Sequence, residues 1–200
     1  MSTPIPVEFW YDFGSNYSYL AVMRIEAVAK KYGVPVQWRP FLLGPIFQSF
    51  GWNDSPFVLQ KEKGDYVWKD MVRESKKYGL PFRRPTTFPR TAVQATRLAL
   101  LGSNAEWGAE FSRRIMLLNF ALDQDIASDS LVLAVLRDMG LPADALMVAA
   151  RADEVKARLR DQVALAHRMG MFGAPTCMVG SEMFWGNDRL DDAFRLAAGR

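Results

Sequence analysis

The rhythm of hydrophobic positions changes twice along this chain. Residues 6–11, Pro-Val-Glu-Phe-Trp-Tyr, alternate and are rich in aromatics, which predicts a strand. Asp12-Phe13-Gly14-Ser15 breaks the alternation. From Tyr17 to Lys31 the apolar residues Leu20, Met23, Ile25, Ala27 and Val28 supply a buried helical stripe, and Ser15 is suited to cap that helix. Gly33 ends it, and Val34 to Phe41 reads as a second strand. A strand–helix–strand unit of this kind closes as a right-handed crossover with parallel strands.

The middle of the chain follows a different pattern. From about Asp54 to Gly170 no segment reads as a strand, and helical periodicity predicts helices over 55–78, 90–102, 104–122, 129–139, 142–150 and 152–169. Gly79-Leu80-Pro81 and Gly140-Leu141-Pro142 mark stops, while Ser103-Asn104 and Ser128-Asp129 mark starts. Strand character returns at Pro175 to Gly180. Gly180-Ser181 then forms a turn, Glu182 to Trp185 pairs back, and Asp188 opens a last helix over Arg189 to Ala198. The fold class is therefore α/β. A βαβ unit and a ββα unit share one sheet across a large helical insertion. Residues 1–50 and 170–200 form one discontinuous domain, and 51–169 an inserted all-helical domain.

Composition narrows the chemistry. Half of the 200 residues are hydrophobic, enough for an ordinary core, yet no stretch of 18 apolar residues occurs and no membrane span is expected. Basic residues gather between Lys61 and Arg97, but acids are interleaved and the net charge is only +3. This reads as a solvated face rather than a nucleic-acid surface, with room for attraction of a small anionic substrate. Cys177 and His167 are the only residues of their types, so neither a disulfide nor a metal site is expected. Cys177, in an apolar strand, reads as an inert core thiol. The first residues have no basic, apolar leader pattern, and the expectation is a cytoplasmic protein.

Two places can carry chemistry. At Asp12-Phe13-Gly14-Ser15-Asn16-Tyr17-Ser18 a strand turns into a helix, whose N-terminus offers unpaired N–H groups and about half a positive charge. Ser15 either caps that helix and does nothing more, or it donates its hydroxyl to an anion held there. Phe172-Gly173-Ala174-Pro175-Thr176 is either an ordinary turn or a cis X–Pro loop whose backbone meets a peptide-like ligand.

Taken together with Arg39-Pro-Phe-Leu-Leu-Gly44 and Met183-Phe-Trp-Gly-Asn-Asp-Arg-Leu190, these motifs span nearly the whole chain. In that order they resemble the DsbA-like branch of the thioredoxin superfamily, and within it the 2-hydroxychromene-2-carboxylate isomerases and kappa-class glutathione transferases. The resemblance implies a thioredoxin-like fold with a large α-helical insertion, glutathione as cofactor, a homodimer, and a small aromatic carboxylate or other electrophilic substrate. It implies Ser15 as the catalytic residue, its hydroxyl bonded to the glutathione sulfur. Ala174 and Pro175 would dock the cysteinyl part. Trp185, Gly186, Asn187 and Asp188 would receive the γ-glutamyl end, and Asn53 and Lys63 would reach the other end of the tripeptide.

The chain departs from that family pattern in two places. Asn16 stands where the serine motif usually carries proline, which costs some rigidity but removes no reacting group. Isomerases of the naphthalene pathway are expected to place a lysine and an Asn-Arg pair around positions here occupied by Phe47, Phe57 and Val58. A pocket for a larger or less polar substrate follows. Ser15 and Ser18 fill the two places of a C-x-x-C motif, so dithiol exchange is excluded. Three readings follow: a glutathione-dependent isomerase in aromatic catabolism, a kappa-like transferase or peroxidase, and a non-catalytic binding module.

Overall fold

A computed structural model describes residues 5–199. The chain enters as strand β1 (Val7–Tyr11), turns into helix α1 (Asn16–Tyr32) and returns as β2 (Val36–Pro40). Helices α2 (Leu43–Ser49), α3 (Pro56–Leu59), α4 (Lys61–Lys77), α5 (Val93–Gly102), α6 (Trp107–Phe120), α7 (Asp129–Asp138), α8 (Ala143–Ala149) and α9 (Asp153–Arg168) follow. The chain ends in β3 (Thr176–Val179), β4 (Glu182–Trp185), a 3₁₀ turn over Asn187–Arg189, and α10 (Leu190–Ala197). The sheet order is β2-β1-β3-β4. β1 runs parallel to β2, with Phe9 opposite Trp38, and antiparallel to β3, with Phe9 opposite Cys177. This is the α/β thioredoxin-like sheet with inserted helices that the two end units predict.

Alternation along β1 explains how both faces of the sheet are covered. Phe9 and Tyr11 point to one side, stacked at 5.2 Å, and join a core that includes Leu20 and Ile25 of α1, Phe111, Ile115 and Phe120 of α6, and Phe194 of α10. Trp10 points to the other side, against Phe41, Ile46, Leu159 and Val163. Burying apolar side chains on both faces is worth about 1.5–3 kcal/mol per large residue, before chain entropy is counted. Cys177 lies in the first core, and burial pushes its thiol up to about 12.

Three elements differ from the sequence reading. The helix expected over 55–78 is two helices, α3 and α4, with Gln60 extended between them and Ser55 capping the first through the Phe57 N–H at 3.3 Å. The helix expected from residue 90 begins at Val93, because Arg90 is drawn inward to a buried ion pair and Ala92 before the helix is not helical. Helix α2 has no counterpart in the reading. Its sequence has no capping side chain, and the cap arrives from elsewhere: Asp12 Oδ2 accepts from the Leu43 N–H at 2.7 Å. Among the described residues no helix is long and apolar enough to cross a membrane, and no cluster of His, Cys, Asp and Glu could hold a metal ion.

The α5–α6 corner is made by direct backbone contact. A Cβ on Gly108 would overlap the Gly102 carbonyl, so this crossing admits only glycine. Gly108→Ala is expected to destabilise the protein by about 1–3 kcal/mol. Gly44→Ala, at a helical glycine with no neighbouring atom within 4 Å, is expected to stay within about 0.5 kcal/mol. Urea unfolding of the two variants checks both, and equal midpoints would remove the close-packing explanation.

Candidate active site

The site is built where β1 ends. Asp12 fixes the turn: its Oδ1 accepts from the Gly14 N–H at 2.6 Å, its Oδ2 from Leu43, and its carbonyl from the Ser15 N–H at 3.0 Å. Burial pushes the Asp12 carboxyl up, and the two amide bonds oppose that shift. Gly14 is held close on its other side, where a Cβ would lie 2.9 Å from the Arg90 carbonyl.

Ser15 then caps α1. Its Oγ accepts from the Ser18 N–H at 3.2 Å and donates to the Ala174 carbonyl at 2.8 Å, across 159 residues of chain. The hydroxyl is thus both acceptor and donor, with its proton directed at the Ala174 carbonyl. The first turn of α1 carries no acidic residue, so the positive end of the helix dipole is not neutralised. Asn16 partly replaces the missing proline by accepting from the Tyr17 N–H at 3.0 Å, and its buried Nδ2 has no partner.

The Ala174–Pro175 bond is cis. Among the described residues nothing accepts the Ala174 N–H. The Pro175 carbonyl accepts from the Gly186 N–H at 2.9 Å, which ties the proline loop to the turn after β4. Trp185 is half exposed and leans on Phe172, with ring centres 4.9 Å apart. Gly186 has φ 116°, a conformation that side chains resist. Asp188 is exposed beside Arg189, while Asn187 is buried and accepts from Arg24 Nη1 at 2.6 Å. The same guanidinium lies 3.6 Å above the Tyr78 ring.

Ser15, Ala174, Pro175 and the Trp185–Asp188 turn are thus joined by hydrogen bonds into one continuous surface. Asn53 and Lys63 are not part of that network. Asn53 is exposed between α2 and α3, and Lys63, in the first turn of α4, sits 5.7 Å from the Phe57 ring centre.

Several residues at the site escaped sequence reasoning. Asn119 Nδ2 donates to the Phe13 carbonyl at 3.0 Å, and its Oδ1 accepts from Arg90 at 3.0 Å. Arg90 in turn pairs with Asp123 at 2.6 Å, with both side chains buried. This relay braces the turn that presents Ser15. Tyr17 donates to Asp70 at 2.7 Å and packs on Phe57. Nothing between Arg83 and Arg90 in the sequence separates the braced Arg90 from its exposed neighbours Arg83 and Arg84; a left-handed aspartate such as Asp123, at φ 56°, leaves no local trace either.

A cavity of about 520 Å³ is lined in part by Phe57, the ring that packs on Tyr17 of the first turn of α1. Phe57, Trp68 and Phe88 give it aromatic walls, and Arg84 and Thr86 lie at its polar side. Phe88 precedes Pro89, which packs against Gly14. A second depression, about 570 Å³, is lined by Glu26, Lys30 and Trp38 at the far end of α1, about 25 Å from Ser15 along the helix.

Residues 6–195 match the family model of the DSBA-like thioredoxin domain. The chain is 30% identical over 189 residues to a 2-hydroxychromene-2-carboxylate isomerase of Sphingobium xenophagum, covering 92% of this chain and 94% of that protein. It is 25% identical over 202 residues to a kappa 1 glutathione S-transferase of Rattus norvegicus, covering 94% and 88%. A solved 2-hydroxychromene-2-carboxylate isomerase superposes with a TM-score of 0.86 at 26% identity, over 98% of this chain and 95% of that one. The chain belongs to the DSBA-like thioredoxin family, in the branch of the 2-hydroxychromene-2-carboxylate isomerases, near the kappa-class transferases.

The brace has a pH signature. The Thr86 N–H, then the Arg90 guanidinium, hold the Asp123 carboxyl down at about 2, below its ordinary value of about 3.9. A depressed carboxylate contributes stability above its unfolded value and loses it as pH falls through the folded one. Asp123→Asn tolerates the left-handed backbone but lacks the charge. The variant is expected to be less stable than the wild type at pH 7, with the gap narrowing between about pH 5 and 2. Urea midpoints across that range test this; a gap that does not change with pH would assign the stabilisation to something other than the charge.

Proposed function

We propose that this member of the family is a glutathione-dependent isomerase of the 2-hydroxychromene-2-carboxylate isomerase type, with Ser15 as its catalytic residue. The observation that carries the reading is the Ser15 hydroxyl, locked as a donor at the unneutralised N-terminus of α1 and bonded to the cis-proline loop. The fit to glutathione rests on the groups left open around it. The Ala174 N–H lacks an acceptor, as a docking site for a peptide-like cysteinyl unit requires. The exposed Asp188 carboxylate suits an ammonium group. Trp185 and Gly186 form the wall between these points, and the buried Asn187 keeps their turn in place. Asn53 and Lys63 would meet the far end of the tripeptide.

When bound, glutathione supplies a thiolate that can add reversibly to an activated carbon. The chain's own part is to hold that anion. Ser15 turns its proton from the Ala174 carbonyl to the sulfur while still accepting from Ser18, and the α1 dipole lowers the cost of the charge. No side chain here needs to form a covalent bond. The reading includes a cytoplasmic homodimer that acts on small aromatic carboxylates or other electrophiles in aromatic catabolism. A kappa-like transferase or peroxidase is the second reading, favoured by the likeness to the Rattus norvegicus protein across nearly the whole chain. The products separate the two: glutathione returns unchanged from an isomerisation, whereas a thioether or glutathione disulfide marks the second.

Calorimetric titration with reduced glutathione is expected to show saturable binding. Ser15→Ala is expected to lower turnover by roughly 10²–10³-fold, as loss of one donor to a developing anion does, while glutathione affinity changes far less. Asp188→Asn is expected to do the opposite, weakening glutathione by about tenfold with a smaller effect on turnover at saturation. Wild-type turnover in Ser15→Ala would end its assigned role, and no binding at millimolar glutathione would leave a non-catalytic binding module.

A further inference from the structure

The cavity that Phe57 shares with Trp68 and Phe88, reached from the first turn of α1 through Tyr17, combines three aromatic walls with one cation. Trp68 and Phe88 meet edge to face at 4.7 Å, and Phe57 lines the same space. A flat apolar body fits such walls, and the volume is that of an ordinary small-molecule pocket. The polar groups around it are almost all committed. Thr86 donates its hydroxyl to Asp123 at 3.1 Å, Asp70 accepts from Tyr17, and Arg83 reaches Asp123 at 3.8 Å. Arg84 differs. Its guanidinium lies 5.0 Å from the Trp68 ring centre, and among the described residues no carboxylate pairs with it. Stacking orients a guanidinium without using any of its five N–H donors.

We infer that Arg84 determines substrate specificity by reading an anionic group on a flat aromatic ligand held between Phe57, Trp68 and Phe88. The inference rests on the proposed function for why an electrophile should lie next to Ser15, and it adds the residue that selects the electrophile. Phe57, Val58 and Pro85 of the same lining carry no charge, so an anion in this pocket must be met by Arg84, between α4 and α5. The pairing is charge-assisted and planar, and lysine is not expected to replace it fully.

The test uses unreactive probes and no glutathione. Calorimetry of the full chain with 2-naphthoate and with its neutral counterpart 2-naphthamide should show the acid binding at least about tenfold more tightly. Arg84→Gln should abolish that preference and keep naphthamide binding, because the aromatic walls remain. Arg84→Lys should restore only part of it. Arg84 is exposed, so the variants should fold, and unchanged unfolding midpoints confirm this. A preference for the acid that survives in Arg84→Gln, or failure of either probe to saturate the wild type, overturns the inference. Glutathione titration of the same proteins keeps the two proposals apart. Arg84-dependent naphthoate binding without glutathione binding would sink the proposed function and leave the inference standing. Glutathione binding without Arg84 dependence would do the reverse.

Discussion

Everything at the site hangs on a strand that has to be buried on both faces. β1 pairs parallel with β2 on one edge and antiparallel with β3 on the other, so it cannot shift register without breaking both ladders. A slip by one residue would also exchange Trp10 with Phe9 and Tyr11 between two different cores. That double constraint fixes where the strand stops, and Asp12 stands at the stop. From there one residue makes three contacts: its carboxylate shapes the Gly14 turn and caps α2 through Leu43, and its backbone carbonyl seats Ser15. Burying an ionised carboxylate is costly unless its oxygens are bonded, so the position holds only while both amides are delivered to it.

The same logic explains why the helical insertion matters to a site it does not itself form. The Asp123–Arg90–Asn119 relay ends on the Phe13 carbonyl, and Tyr17–Asp70 ties the first turn of α1 to α4. Arg24 does a comparable job on the opposite side, joining Tyr78 at the end of α4 to Asn187 in the turn after β4. Ser15 is thereby held from two directions by helices that are not continuous with the sheet. With the Ser15 oxygen fixed in this way, the change needed when an anion arrives is confined to rotation of its hydroxyl proton, and small reorganisation is where preorganised sites gain their advantage.

Local chemistry was legible in the sequence, and long-range chemistry was not. Alternation in Val7–Tyr11, the serine before Asn16, and Gly180-Ser181 between two short strands each declare themselves within a few residues. The resemblance carried by the four motifs brought Ser15, Ala174 and the Trp185–Asp188 turn together before any coordinate did. By contrast, the contacts that hold them span 31 residues from Asp12 to Leu43, 106 from Phe13 to Asn119, and 159 from Ser15 to Ala174. No periodicity encodes such pairs. Helix α2 was missed for this reason, since its cap belongs to a residue in another element. Arg84 belongs to the basic stretch that reads as a solvated face with room for a small anion, and the Trp68 ring beside it comes from another element.

The distribution of sulfur and of possible bases bears on what this scaffold can do. A thiol at the Ser15 position would sit at a helix N-terminus and ionise readily. The one cysteine is instead placed in β3 opposite Phe9, where burial holds its proton at any pH near neutrality. The one histidine lies at the end of α9 against Ser49, in contact with α2 rather than with Ser15. Ser15 therefore has no histidine beside it to act as a base, and its hydroxyl already accepts from Ser18 and donates to the Ala174 carbonyl. What remains is a rigid donor, a positive helix end and an open backbone amide, three features that stabilise an anion and none that generates one. In the proposed function the reactive sulfur is accordingly brought by glutathione, and the protein's catalytic contribution is to lower the free energy of its thiolate.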